Sequence, residues 1–130
     1  METNPYKQLA EKLDAMPNGF PATQDGVELR ILQKLFTPEE AELTARLTTH
    51  FESVDEFASR TGDSSIRLRS LLKRLARAGL IEVGRSEAGL KYRLLPFVVG
   101  IYEMQVSTLD PELAGLFETY FGLFDRSNLS

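Results

Sequence analysis

A leucine-rich basic helix, a glycine stop and two short alternating runs follow one another between Ser64 and Leu94, and this succession limits the fold more than any other part of the chain. Leu68, Leu71, Leu72 and Leu75 recur at helical spacing and define one face. At about 100° per residue, Arg69, Lys73 and Arg77 fall on the far side, with Arg67, Ser70 and Arg74 at its edge. Gly79 supplies the stop. Leu80-Ile81-Glu82-Val83 and Leu90-Lys91-Tyr92-Arg93-Leu94 then alternate as strands. The six residues from Gly84 to Gly89 predict a hairpin loop longer than the tightest turns.

Just upstream, Thr61-Gly62-Asp63 separates this basic helix from a shorter one carrying Val54, Phe57 and Ala58, which opens at Ser53 with Glu56 three residues on, a capping pattern. Helix, short glycine-containing turn and helix is the form of a helix-turn-helix. The hairpin that follows at once makes the expectation a winged helix-turn-helix.

Three more helices are predicted before this unit. The first opens at Asn4-Pro5 and carries Tyr6, Leu9, Ala10, Leu13 and Met16, until Pro17-Asn18-Gly19-Phe20-Pro21 stops it. The second begins near Thr23, with Val27, Ile31, Leu32, Leu35 and Phe36 on one face. The third opens with the capping box Thr37-Pro38-Glu39-Glu40 and runs to about Leu47. After the hairpin, Pro96–Val106 is almost uniformly apolar and predicts a helix buried on most sides, although Val98-Val99 also suits a strand. Asp110-Pro111 caps a last helix, in which Leu113, Leu116, Phe117, Tyr120, Phe121 and Phe124 form a wide apolar stripe. The expected class is mainly α with a small β-hairpin, one winged-helix domain over residues 1–130 with extra N-terminal and C-terminal helices. Its core is expected at about 37–95, and helices within 96–125 offer a dimer or interdomain surface.

Charge sets this unit apart. Eight Lys/Arg against two acids give Ser65–Arg93 a net charge of +6, while the whole chain is −4, which leaves −10 for the remainder. A helix entering a major groove needs cations for phosphates and side chains near its start for base edges. Ser65, Arg67, Arg69 and Ser70 occupy the leading part of the basic helix (65–78), and Lys73, Arg74 and Arg77 lie further along. Arg85, in the expected wing (84–89), is placed for phosphate or the minor groove, with Lys91 and Arg93 on its stem. These eight side chains, from Ser65 to Arg85, are the candidate contacts to double-stranded DNA. Contacts of this kind position a protein without specifying a sequence. A solvated basic face opposite a leucine stripe has the same pattern, and the acidic remainder must face away from a duplex.

Catalytic chemistry finds little support, and the chain is expected not to be an enzyme. There is no cysteine, which removes disulfides, thiolate metal sites and cysteine nucleophiles. His50 is the only histidine, at the expected end of a helix. Glu39, Glu40 and Glu42 fall where they favour the positive end of a helix dipole. No metal-ligand spacing or phosphate-binding glycine loop occurs, so no metal or cofactor is expected in this chain. The N-terminus lacks the apolar core of a signal peptide, and the longest apolar run, Leu94–Ile101, is far short of the roughly 20 residues of a membrane span. A cytoplasmic protein without membrane partners is expected. The stripe Leu113, Leu116, Phe117, Tyr120, Phe121 and Phe124 suits a core face, or a surface for a second copy of the chain.

Three stretches resemble a known family: NPYKQLAEKLDAMPNGFPAT from Asn4, LFTPEEAEL at Leu35–Leu43, and above all LLPFVVGIYEMQ at Leu94–Gln105. They are similar to the N-terminal region of a group of bacterial and archaeal iron–sulfur proteins, in which a winged-helix-like segment precedes a ferredoxin-type 4Fe–4S part with clustered cysteines. The resemblance implies that this chain is the front module of a longer protein, or a fragment of one. It also implies that the apolar Pro96–Phe124 region contacts the cluster part or a second subunit. Since the cluster ligands of the family are cysteines and this chain has none, no residue here is carried over as a ligand, and a 4Fe–4S cluster would belong to a further C-terminal part. The alternative to DNA binding is then a protein-interaction module of a redox protein.

Overall fold

Asn4 opens the first helix by accepting hydrogen bonds from the backbone N–H groups of Tyr6 (2.9 Å) and Lys7 (3.4 Å), with Pro5 at the first helical position. From this residue on, a computed structural model describes the chain through residue 129, and side-chain surroundings through residue 124. Residues 1–3 and 130 of the expected domain lie outside the described residues. The described chain is mainly helical with one small antiparallel sheet. Its helices are α1 (Pro5–Asp14), α2 (Val27–Leu35), α3 (Pro38–Ala45), α4 (Val54–Thr61), α5 (Ser65–Arg77), α6 (Tyr102–Gln105) and α7 (Pro111–Leu129), and its strands are β1 (Glu82–Ser86) and β2 (Gly89–Arg93).

Local chemistry accounts for most boundaries. Thr37 Oγ1 accepts from Glu40 N (3.1 Å) and Glu40 Oε1 accepts from Thr37 N (2.8 Å), closing the capping box of α3. Ser53 and Glu56 do the same for α4. The start of α2 lies at Val27, four residues later than the sequence suggests. Thr23 caps at a distance: its hydroxyl accepts from Val27 N (3.1 Å), and the buried Glu28 carboxylate accepts from Thr23 Oγ1 (2.6 Å) and N (3.0 Å). The third helix stops at Ala45, short of Leu47, whose side chain is nevertheless fully buried.

The hairpin is tighter than expected. Strand pairing continues to Ser86↔Gly89, so only Glu87 and Ala88 form the turn, and Arg85 sits within β1 opposite Leu90 instead of in a loop. Glu87 and Ala88 keep negative φ, and Gly89 at φ 116° provides the positive angle that closes the turn. On the other side of β2, Glu52 exchanges two backbone hydrogen bonds with Tyr92 (2.8 and 2.9 Å), and Leu94 N donates to Thr48 O (2.8 Å). The approach to α4 is thereby tied to the hairpin.

The stretch Pro96–Val106 is not one buried helix. Val98 and Val99 are extended and Gly100 lies outside helical space, so a short α6 forms only from Tyr102, followed by a 3₁₀ turn at Val106–Thr108. Paired β-branched residues after a proline resist helix entry. Phe97 and Ile101 are buried, whereas Val99 is 68% exposed. The segment is latched to the end of α5: Gln105 Nε2 donates to Ala78 O (2.8 Å), and Met104 packs over Gly79.

Buried apolar residues form one cluster from Leu9 to Tyr120. The stripe expected as a partner surface closes this core. Leu113, Phe117 and Tyr120 are buried, and Leu116, Phe121 and Phe124 are half-buried. Phe97 stands at the centre of the ring contacts, with centroids 4.3 Å from Phe20, 6.0 Å from Phe117 and 6.1 Å from Tyr120. Tyr120 also donates its hydroxyl to Pro21 O (2.9 Å), and its burial pushes the phenol pKa well up. Phe20 and Phe97 cover the buried side of the stripe, while Leu116, Phe121 and Phe124 keep part of their surface exposed. Among the described residues no helix is long and apolar enough to cross a membrane.

Candidate nucleic-acid interface

The basic helix is positioned from both ends. The preceding helix ends at Gly62 (φ 77°), and Ser64 Oγ, at the N-cap of α5, accepts from Arg67 N (3.4 Å). Leu68, Leu71, Leu72 and Leu75 are buried as their spacing predicts, which fixes the rotation of α5 about its axis. Ser65 is half-buried in the first turn, and Arg67, Arg69, Ser70, Lys73, Arg74 and Arg77 are exposed.

The structure divides these cations into two groups. Arg67 is held by the carboxylates of Asp63 and Glu39, the latter at 2.7 Å. Arg74 pairs with Glu40 at 2.7 Å. Both therefore face α3 and have part of their charge neutralised at home. Lys91 lies 3.8 Å from Glu56, and Arg93 makes a two-pronged contact with Glu82 (3.0 and 3.2 Å) while stacking over the Phe51 ring. Among the described residues Arg69, Lys73, Arg77 and Arg85 form no ion pair. The first three repeat every four residues and make one stripe along α5, on the side of the hairpin.

Two residues on this face escaped the sequence reading. Ile66 is 83% exposed at the leading turn of α5, in line with Ser70, Lys73 and Arg77. The helical wheel already takes it off the leucine face. Tyr92 projects from β2 toward α5 and is 1% exposed. Burial raises its phenol pKa, and the charges of Arg69 and Arg77 oppose that shift. Its alternation with Leu90 and Leu94 was the available signal. A groove of about 220 Å³ opens between the start of α4, this stripe and the hairpin turn.

The other residues weighed in the sequence have the following surroundings. His50 is exposed in the connection between α3 and α4, where its N–H donates to Thr48 Oγ1 (3.1 Å). Glu39, Glu40 and Glu42 each meet an arginine, namely Arg67, Arg74 and Arg46. No group of three or more His, Asp or Glu among the described residues is placed to hold a metal ion. With no thiolate available, this chain's own residues do not fit a 4Fe–4S ligand set. Comparison of the chain with family models, curated proteins and solved structures gives no match.

Proposed function

We propose that this chain is a non-catalytic winged helix-turn-helix module that binds double-stranded DNA through α5 and the hairpin. The observation that carries the reading is the stripe Arg69, Lys73 and Arg77, which forms no ion pair among the described residues, beside the exposed Arg85 of β1. The α4–α5 pair and the hairpin that follows it, braced by the Glu52–Tyr92 bridge, support the winged-helix assignment. Ser70 and Ile66 stand on the face that would meet base edges, and an apolar side chain there suits a thymine methyl group.

The test is a fluorescence-anisotropy titration of the full chain with a random-sequence duplex at several salt concentrations. Four phosphate contacts predict a log K versus log [salt] slope of about −3 to −4. Arg69→Ala, Lys73→Ala and Arg77→Ala together should abolish binding at moderate salt. A chain that does not bind even at low salt would sink the reading.

A second reading rests on a different observation. Val99, Met104 and Val106 are exposed within or beside the stretch that resembles iron–sulfur proteins. On this reading the segment docks a ferredoxin-type 4Fe–4S part, and α5 is a solvated face. Serine at all three positions should then weaken association with that part supplied separately, while leaving the melting temperature near that of the wild type.

A further inference from the structure

Tyr92 is nearly sealed from solvent, yet its hydroxyl donates to nothing among the described residues. Tyr6 and Tyr120 behave otherwise, donating to Phe36 O (2.8 Å) and Pro21 O (2.9 Å). Among the described residues the one buried side-chain polar atom without a partner is Thr44 Oγ1, so the Tyr92 oxygen keeps contact with solvent although its ring is buried. Tyr92 instead lines the groove between α4, α5 and the hairpin turn. Arg69 and Lys73, one helical turn apart, line its α5 wall, and Ser53 and Asp55 lie at the start of α4. Leu90 and Ala88 form the hairpin side. Among the described residues neither cation is paired with a carboxylate.

We propose that this groove seats one phosphodiester group, which accepts a hydrogen bond from the Tyr92 hydroxyl and is neutralised by Arg69 and Lys73. The inference rests on the reading of α5 as a DNA-binding surface and names the atom that anchors the backbone there. Two cations against the single carboxylate of Asp55 leave the groove with a net positive charge, which attracts a backbone phosphate.

Tyr92→Phe keeps the ring and its packing, so its melting temperature should stay near that of the wild type. In anisotropy titrations with a random-sequence duplex it should weaken binding about five- to tenfold. Because the hydroxyl is uncharged, the salt slope should not change, whereas Lys73→Ala should reduce that slope by about one. Chemical-shift titration of the Tyr92 ring with diethyl phosphate and, separately, inorganic phosphate distinguishes the sources. A response to the diester supports the seat, and a response to inorganic phosphate alone overturns it. If Tyr92→Phe binds duplex as the wild type does while the triple variant of the stripe fails, the seat is wrong and the DNA surface stands. If the wild type binds no duplex at low salt, the surface fails and the seat with it.

Discussion

Arg74 of α5 reaches across to α3 and closes a 2.7 Å ion pair with Glu40, a carboxylate that also accepts the Thr37 N–H of its own capping box. One basic side chain of the presumed recognition surface is thus a tie between two helices. Without it, the buried Glu40 keeps a single donor.

Arg74→Ala should therefore cost about 1–2 kcal/mol of stability, read by urea denaturation. Its effect on duplex affinity should be smaller than that of Lys73→Ala. A double-mutant cycle with Glu40→Gln should return a coupling of about 0.5–1 kcal/mol. No coupling would mean that the pair does not persist in solution.

Gly79 occupies φ 74°, and a Cβ built there would lie 2.6 Å from Met104 Cβ. Gly79→Ala should destabilise the chain by about 2 kcal/mol, combining backbone strain with overpacking. Met104→Ala should not rescue it, since its own Cβ remains, whereas Met104→Gly should recover part of the loss. Equal effects of the two partner substitutions would disprove the close approach.

Phe117 is 3% exposed, with Tyr102 and Phe97 against its ring. Phe117→Ala should cost about 3–4 kcal/mol, and Phe117→Glu should leave the chain largely unfolded, without reporting on a dimer. Circular dichroism and size exclusion on both variants check this. A folded Phe117→Glu chain would return the stripe to the surface.

Acid sensitivity should come from three carboxylates held below their ordinary range. Asp63 is held there by the Ser64 N–H and Arg67, Asp110 by the Leu113 N–H and Lys34, and Glu56 by Ser53 and Lys91. A pKa lower in the folded chain than in the unfolded one makes the ionised form stabilising. That contribution is complete above the ordinary values of about 4 and is lost as pH falls through the folded values. Melting curves between pH 7 and 3 should show it, and Asp110→Asn should flatten the acid limb. An unchanged limb in that variant would assign the loss elsewhere.

Periodicity and capping made most of the helices legible. Leu68–Leu75 and the Thr37–Glu40 box act through neighbours in sequence, and the observed burial and hydrogen bonds follow them. Three features read differently in the structure, two of them because they depend on residues far along the chain. The aromatic stripe of α7 read as a core face or a partner surface, and the residues that pack on it, Phe20 and Phe97, meet it only through tertiary packing. Pro96–Val106 read as a helix from its hydrophobicity, whereas the strand tendency of Val98-Val99, also visible in the sequence, prevails there. At the candidate interface, charge counting could not separate Arg67 and Arg74, neutralised from α3, from Arg69 and Lys73. The i,i+4 spacing of Asp63 and Arg67 was the one neutralisation readable in advance.

The amide of Gln105 on Ala78 O ends α5 with a group borrowed from the C-terminal segment. A partner gripping Val99, Met104 or Val106 would therefore hold a handle on the basic helix. Displacing that segment must break the Gln105 bond or carry the end of α5 along. If both surfaces are used, their ligands share a linkage free energy, and each must alter the affinity of the other by the same factor.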